Sequence, residues 1–163
     1  MAEEIAKEVA GGGKAALLRL KPPRIALVLL LISVGLHFLL RNTLKWHFGC
    51  PFCGLILIVL GFLVMIWAWQ LFRRRETAIC PTAAATVLVD RGPFRVTRNP
   101  MYFGMTAMLA GCAWILGSLP ALFAPFTFFL LMNTAFIPFE ERRLSEIFGT
   151  RYVEYRGRVR RWI

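Results

Sequence analysis

Residues Phe52 to Phe72 read FCGLILIVLGFLVMIWAWQLF, twenty-one positions without a charge, closed by Arg73, Arg74 and Arg75. At about 1.5 Å per helical residue this run reaches roughly 30 Å, the thickness of one hydrocarbon core. Working outward, a second charge-free stretch from Asn99 to Phe139 is about twice as long as one crossing needs, and Gly117, Ser118, Leu119 and Pro120 punctuate it. Gly followed shortly by Pro reads as a turn, so this stretch predicts two crossings, 101–116 and 121–139. The run 25–40, between Arg24 and Arg41, is shorter but plausible as a span with snorkelling arginines at both ends. The expectation is an all-α polytopic membrane bundle with spans at about 25–40, 52–72, 101–116 and 121–139.

Composition agrees. In 163 residues, 58% are hydrophobic and 18% charged, which a soluble surface does not easily accommodate. Disordered, collagen-like and disulfide-scaffold classes are excluded on the same grounds. The net charge of +11 points first to a polyanion, but its distribution explains it otherwise. The N-terminal arm 1–24, the connection 73–100 and the tail from Arg142 carry eighteen of the twenty cations, and only Arg41 and Lys45 lie on the other side. Lysine and arginine accumulate on cytoplasmic loops, so both termini and the long connection are expected in the cytoplasm. No nucleic acid partner is implied, and no protein partner is evident. Acids in the first residues and the lack of a small-residue cleavage site argue against a signal peptide. Beyond Phe139 the chain is charged, yet Leu144, Ile147, Phe148, Tyr152, Tyr155 and Val159 recur at helical spacing. This predicts an interfacial amphipathic helix that Gly149 could interrupt.

Two features have chemistry that orientation does not explain. Pro100 suits the first turn of a helix, which puts Arg98 and Asn99 at its N-terminus, where the helix dipole favours an anion. Arg98 adds a bidentate donor, Asn99 a donor and an acceptor, and Tyr102 a ring one turn in. Glu140 and Glu141 follow nineteen apolar residues on the same predicted face. Acids are poorly placed at a helix C-terminus, so these need either local partners such as Arg143 and Ser145, or a cationic ligand. An anion site, a cation site and aromatic surface together suit a zwitterion with a flat ring, such as S-adenosylmethionine.

The segments Gly92-Pro93-Phe94-Arg95, Arg98-Asn99-Pro100-Met101-Tyr102-Phe103-Gly104, Glu140-Glu141-Arg142-Arg143-Leu144 and Phe148-Gly149 with Tyr152, Tyr155 and Arg156 resemble the membrane methyltransferases related to isoprenylcysteine carboxyl methyltransferase and phospholipid methyltransferase. The resemblance covers about residues 55–163. It implies an S-adenosylmethionine-dependent enzyme embedded in the membrane, transferring methyl to a lipid or other apolar acceptor, with 25–163 as one domain and cofactor binding in 87–163. The implied cofactor residues are Arg98, Asn99, Pro100, Tyr102, Gly104, Glu140 and Glu141, with Glu140 and Glu141 as the catalytic candidates and no metal. Two departures matter. Asn99 stands where the prenylcysteine enzymes have His, and 133–139 lacks the Arg those enzymes carry shortly before the paired acids. A carboxylate acceptor loses a candidate anchor, leaving an amine, a thiol or a small apolar acceptor open. Competing classes are a reductase with a similar helical core, and a non-catalytic protein holding anionic lipid.

His47, Cys50 and Cys53 form a His-x-x-Cys-x-x-Cys string in the first loop. A metal would need a fourth ligand, and Cys50 with Cys53 could instead pair as a disulfide or remain thiols. His37 within the first span reads as an interhelical hydrogen bond or a proton-handling group. Trp46, Trp67, Trp69 and Trp162 read as interfacial aromatics, and Met101, Met105 and Met108 as packing.

Overall fold

A computed structural model describes residues 20–40, 48–74 and 88–163. Residues 1–19 of the N-terminal arm, the segment with Trp46 and His47, and the part of the connection that holds Cys80 lie outside the described residues. The described chain is helical: α1 (Pro22–Leu40), α2 (Pro51–Arg74), a 3₁₀ turn (Gly92–Arg95), α3 (Pro100–Leu116), a second 3₁₀ turn (Leu119–Leu122), α4 (Phe123–Leu131), a π turn (Met132–Phe136), α5 (Ile137–Phe148) and α6 (Thr150–Arg158). An isolated parallel bridge joins Thr97 to Arg160.

Three helical segments are long and apolar enough to cross a membrane, Pro22–Leu40, Pro51–Arg73 and Leu119–Phe148, and Pro100–Leu116 is a shorter apolar helix. Large side chains on α1 and α2, among them Leu31, Leu39, Phe52 and Leu63, stand exposed. Exposure on this scale requires an apolar solvent.

The core explains the arrangement. Ile25 and Leu29 of α1, Tyr102, Met105 and Leu109 of α3, and Phe128, Met132, Phe136 and Ile137 of the last rod form one buried cluster. Glycines draw α2 against α3 in antiparallel fashion. A Cβ on Gly104 would stand 2.5 Å from the Gly61 carbonyl oxygen, and one on Gly111 2.6 Å from that of Gly54. Only glycine permits that backbone approach. The hairpin turn is pinned as well. Gly117, at φ 62, ends α3 in the left-handed region, and its carbonyl accepts from the Phe48 N–H at 3.0 Å. Ser33 donates to the Ala121 carbonyl at 2.7 Å, while His37 Nδ1 and Ser118 Oγ share a 2.7 Å hydrogen bond. His37 is therefore an interhelical tie. Met105 is core, and Met101 packs on a satellite cluster of Ala68, Val89 and Phe94.

One boundary differs from the sequence reading, and the break at Gly149 agrees with it. The helix that carries the expected span 121–139 does not end at Phe139; after the π turn it continues as α5 to Phe148. Pro138 accounts for the π turn, since its ring and missing N–H disrupt ordinary helical bonding. The Ile137 N–H reaches the Met132 carbonyl five residues back, and the Thr134 hydroxyl takes up the Leu130 carbonyl at 2.7 Å. The amphipathic tail is split at Gly149, φ 52, into the end of α5 and α6.

Candidate functional site

The site begins with Gly92 and Pro93. Gly92, at φ 59, turns the chain into a 3₁₀ segment that buries Phe94, and the chain then extends through Thr97 and Asn99 before Pro100 starts α3. Thr97 Oγ accepts the Asn99 N–H at 3.2 Å, which fixes the turn just before the helix. Asn99 holds the N-cap position without a capping side-chain bond; its Nδ2 donates instead to the Arg161 carbonyl at 3.0 Å. The same carbonyl accepts from Thr97 Oγ at 3.0 Å, and the Arg98 N–H donates to the Arg160 carbonyl at 3.0 Å. The last residues of the chain are thus laid along the entry to α3.

Glu141 occupies the middle of this junction. Its Oε1 pairs with Arg98 Nη2 at 3.2 Å, and its Oε2 with Arg161 Nη2 at 2.7 Å. Arg161 Nε adds a bond to Oε1 at 3.1 Å. The Arg98 and Glu141 side chains are only 10% and 8% exposed. One carboxylate between two guanidinium groups leaves a net charge of +1 in a largely buried place, where unpaired charge is costly. Arg98 is also incompletely satisfied: Nε and Nη1 are buried with no hydrogen-bond partner among the described residues. The Tyr152 hydroxyl interacts with the same guanidinium, and burial first, then the nearby Glu141 carboxylate, raises its pKa. Arg161 is held further by Asn133 Oδ1 at 3.3 Å, an atom that also accepts from Trp162 Nε1 at 3.1 Å. The Trp162 ring tilts over Phe129 at 4.7 Å. Trp162 therefore anchors the tail through both its ring and its N–H.

Glu140 has a different role. Its Oε1 accepts from the Tyr102 hydroxyl at 2.5 Å. The two adjacent acids are consequently unlike: Glu141 is neutralised by arginine, and Glu140 is tied to a phenol.

The fold gathers Arg98, Asn99, Pro100, Tyr102, Glu140 and Glu141 where the start of α3 meets α5. Pro100 is fully buried. Gly104 points to α2, where its lack of a side chain is accounted for by the contact with Gly61. Expected pairing of Glu141 with Ser145 takes a backbone form, the serine hydroxyl donating to the Glu141 carbonyl at 2.8 Å. Sequence reasoning did not place Arg161, Trp162 or Asn133 at the site, and it quoted Tyr152 in a motif without assigning it a role. The available signal was Glu141 itself, an acid with no local arginine in place to balance it. A separate cleft between the first 3₁₀ turn and α6 is lined by Asp90, Arg91, Arg95, Tyr155, Arg158 and Val159.

Arg98 offers two buried donors beside a net positive charge at a helix N-terminus, which fits a carboxylate. Glu140, beside a phenol, fits an ammonium or a hydroxyl group. The donor set thus suits the two ends of a bound amino acid moiety. A family model described as phospholipid methyltransferase matches residues 50–151, a range that includes α2, α3, α4, α5 and both acids. No curated protein and no solved structure matches the chain.

Proposed function

Because the chain belongs to the phospholipid methyltransferase family, whose members are membrane methyltransferases, we propose that it transfers methyl from S-adenosylmethionine to a lipid or other apolar acceptor at the junction of α3, α5 and the C-terminal tail. The observation that carries this reading is Arg98, with Nε and Nη1 buried and unpartnered beside a cluster of net positive charge.

S-adenosylmethionine, when bound, supplies an electrophilic methyl group. The protein's part is to bind, orient and exclude water. Arg98 would take the carboxylate end, held in place by Glu141. Glu140 would take the ammonium or ribose, or remove the proton from an amine acceptor; a thiolate acceptor would need no base. Asn99 fixes the tail across the site, and Tyr102 positions Glu140. The absence of arginine in 133–139 and the use of Asn133 to hold Arg161 and Trp162 leave no anchor for a carboxylate acceptor there, which favours an amine or thiol. The excess of arginine and lysine on one predicted face supports a cytoplasmic site and cytoplasmic termini.

Binding of labelled S-adenosylmethionine to detergent-solubilised protein tests the assignment. Arg98→Ala is expected to weaken binding at least about tenfold, whereas Arg158→Ala, in the separate cleft, leaves it unchanged. Equal losses in the two variants would indicate a general affinity for anions and overturn the reading. Mass spectrometry of lipids and thiols incubated with the protein and labelled cofactor would identify the acceptor.

A further inference from the structure

Cys50, Pro51, Phe52 and Cys53 open α2 at the end of the molecule away from Arg98. The antiparallel packing fixes this: Gly49 lies against Gly117 and Trp114 at the C-terminus of α3, while the residues of the candidate site gather at its N-terminus. A helix of seventeen residues separates the two by roughly 25 Å.

Pro51 is the first residue of the helix, and the Gly54 N–H bonds the Cys50 carbonyl at 2.9 Å, which makes Cys50 the N-cap. Its sulfur folds back to accept the Cys53 N–H at 3.4 Å. This is the place where a helix terminus most favours negative charge on a side chain. The hydrogen bonds from the Cys53 thiol and N–H lower the pKa of Cys50, and a thiolate is the form of cysteine that reacts. Both thiols are free, Cys50 half-buried and Cys53 exposed. The supporting backbone is tightly held. A Cβ on Gly49 would be 2.8 Å from the Trp114 carbonyl oxygen, and one on Gly54 2.6 Å from that of Gly111. Phe48 stacks edge-on with Trp114 at 5.7 Å. A nucleophilic N-cap sulfur, a second thiol within contact of it and a rigid base are the parts that a dithiol exchange site needs.

We propose that Cys50 and Cys53 form a reversible dithiol–disulfide site that exchanges with low-molecular-weight disulfides, independently of the methyl-transfer site. The Cys50 thiolate attacks one sulfur of the partner disulfide; a Cys50–sulfur bond forms, the partner S–S bond breaks, and the departing sulfur leaves with the electron pair as a thiolate. The Cys53 thiol gives its proton to solvent and attacks Cys50, forming the internal disulfide and releasing the second partner sulfur as a thiolate. Two electrons pass from the protein dithiol to the partner, which is reduced to two thiols.

The test uses full-length solubilised protein carrying Cys80→Ala and Cys112→Ala, treated with glutathione disulfide and followed by intact-mass measurement. Expected is an internal disulfide, seen as loss of two hydrogens with no lasting glutathione adduct. Adding Cys53→Ser should trap a glutathione adduct on Cys50. Adding Cys50→Ser instead should slow adduct formation at Cys53 about tenfold relative to Cys50. Persistent adducts on the protein that retains both thiols, equal rates at the two cysteines, or no reaction would each overturn the proposal.

Discussion

At the scale of single residues, the neighbouring acids separate by what surrounds them. Glu141 is the shared counter-ion of Arg98 and Arg161, so Glu141→Gln leaves two guanidinium groups facing each other across a neutral amide. Breaking one member of a buried ion network commonly costs 3–5 kcal/mol. Arg161 is 31% exposed and water screens part of its charge, so a loss of about 2 kcal/mol is expected, read as a lowered midpoint of thermal unfolding in detergent. Glu140→Gln keeps an oxygen for the Tyr102 hydroxyl and leaves the pairs of Glu141 with Arg98 and Arg161 intact. It is expected to change stability by less than about 0.5 kcal/mol. If the acceptor is an amine, the same variant should lose about a hundredfold in turnover, measured as methyl incorporation. A variant order reversed from this, with Glu140→Gln unfolding and Glu141→Gln inactive but stable, would reverse the two roles. Much of this was readable beforehand: Arg98 at a helix start and an acid pair without an orienting purpose follow from charge position alone. The partner Arg161 was not, because an ion pair across twenty residues leaves no periodic or local trace in the chain.

At the scale of elements, charge-free runs located the long apolar helices because length and hydropathy are enough to mark them. They could not locate where the last span stops. The reading placed the acids at a helix C-terminus, whereas α5 continues beyond them. The dipole objection to acids there therefore lapses. The missed element is the π turn, whose cause, Pro138, was visible inside the apolar run but open to reading as an ordinary kink. Pro138→Ala restores an N–H and allows the widened turn to close to regular α-helix. The helix gains intrinsic propensity, up to about 3 kcal/mol. Closing one residue rotates Glu140 and Glu141 by about 100° relative to α4. Unchanged or raised thermal stability with loss of cofactor binding is the expected result; full binding would show that the π turn does not set the direction of the acids. Glycines make a second contrast between elements. Gly61→Ala forces α2 from α3, since a Cβ there meets the Gly104 carbonyl oxygen at 2.6 Å, and thermal stability should fall. Gly157→Ala in α6 meets nothing within 4 Å and should stabilise by about 0.5–1 kcal/mol. Sequence alone offers two glycines in helices; only the packing assigns opposite signs to them.

For the whole molecule, the tail closes the architecture by tying the last residues to the first 3₁₀ turn and the entry to α3. Tyr155 is a buried member of these ties: it is 4% exposed and donates to the Phe94 carbonyl at 2.8 Å. Its neighbour Tyr152 is 1% exposed, and both pack with Leu88 under α6. Burial, then the proximity of Tyr152, raises the Tyr155 pKa well above the ordinary value, because a phenolate there would lose both solvent and its donor bond. An unfolded tyrosine ionises near pH 10. Below that pH both states hold the proton and the contribution of Tyr155 is complete. As pH rises past about 10, the released tail ionises while the docked tail resists, so docking weakens toward the raised folded value. Limited proteolysis at Arg156 and Arg158 should therefore accelerate above about pH 10, with α3 and α4 still protected. Tyr155→Phe removes this titration and leaves the Phe94 carbonyl unpaired, at a cost of about 1–2 kcal/mol. The variant tail should be cleaved faster at neutral pH and show a flatter rise in alkali. Since Arg160, Arg161 and Trp162 hang from the same tail, cofactor binding should decline in parallel with cleavage. A binding constant that stays level while the tail is released would separate the tail from the site.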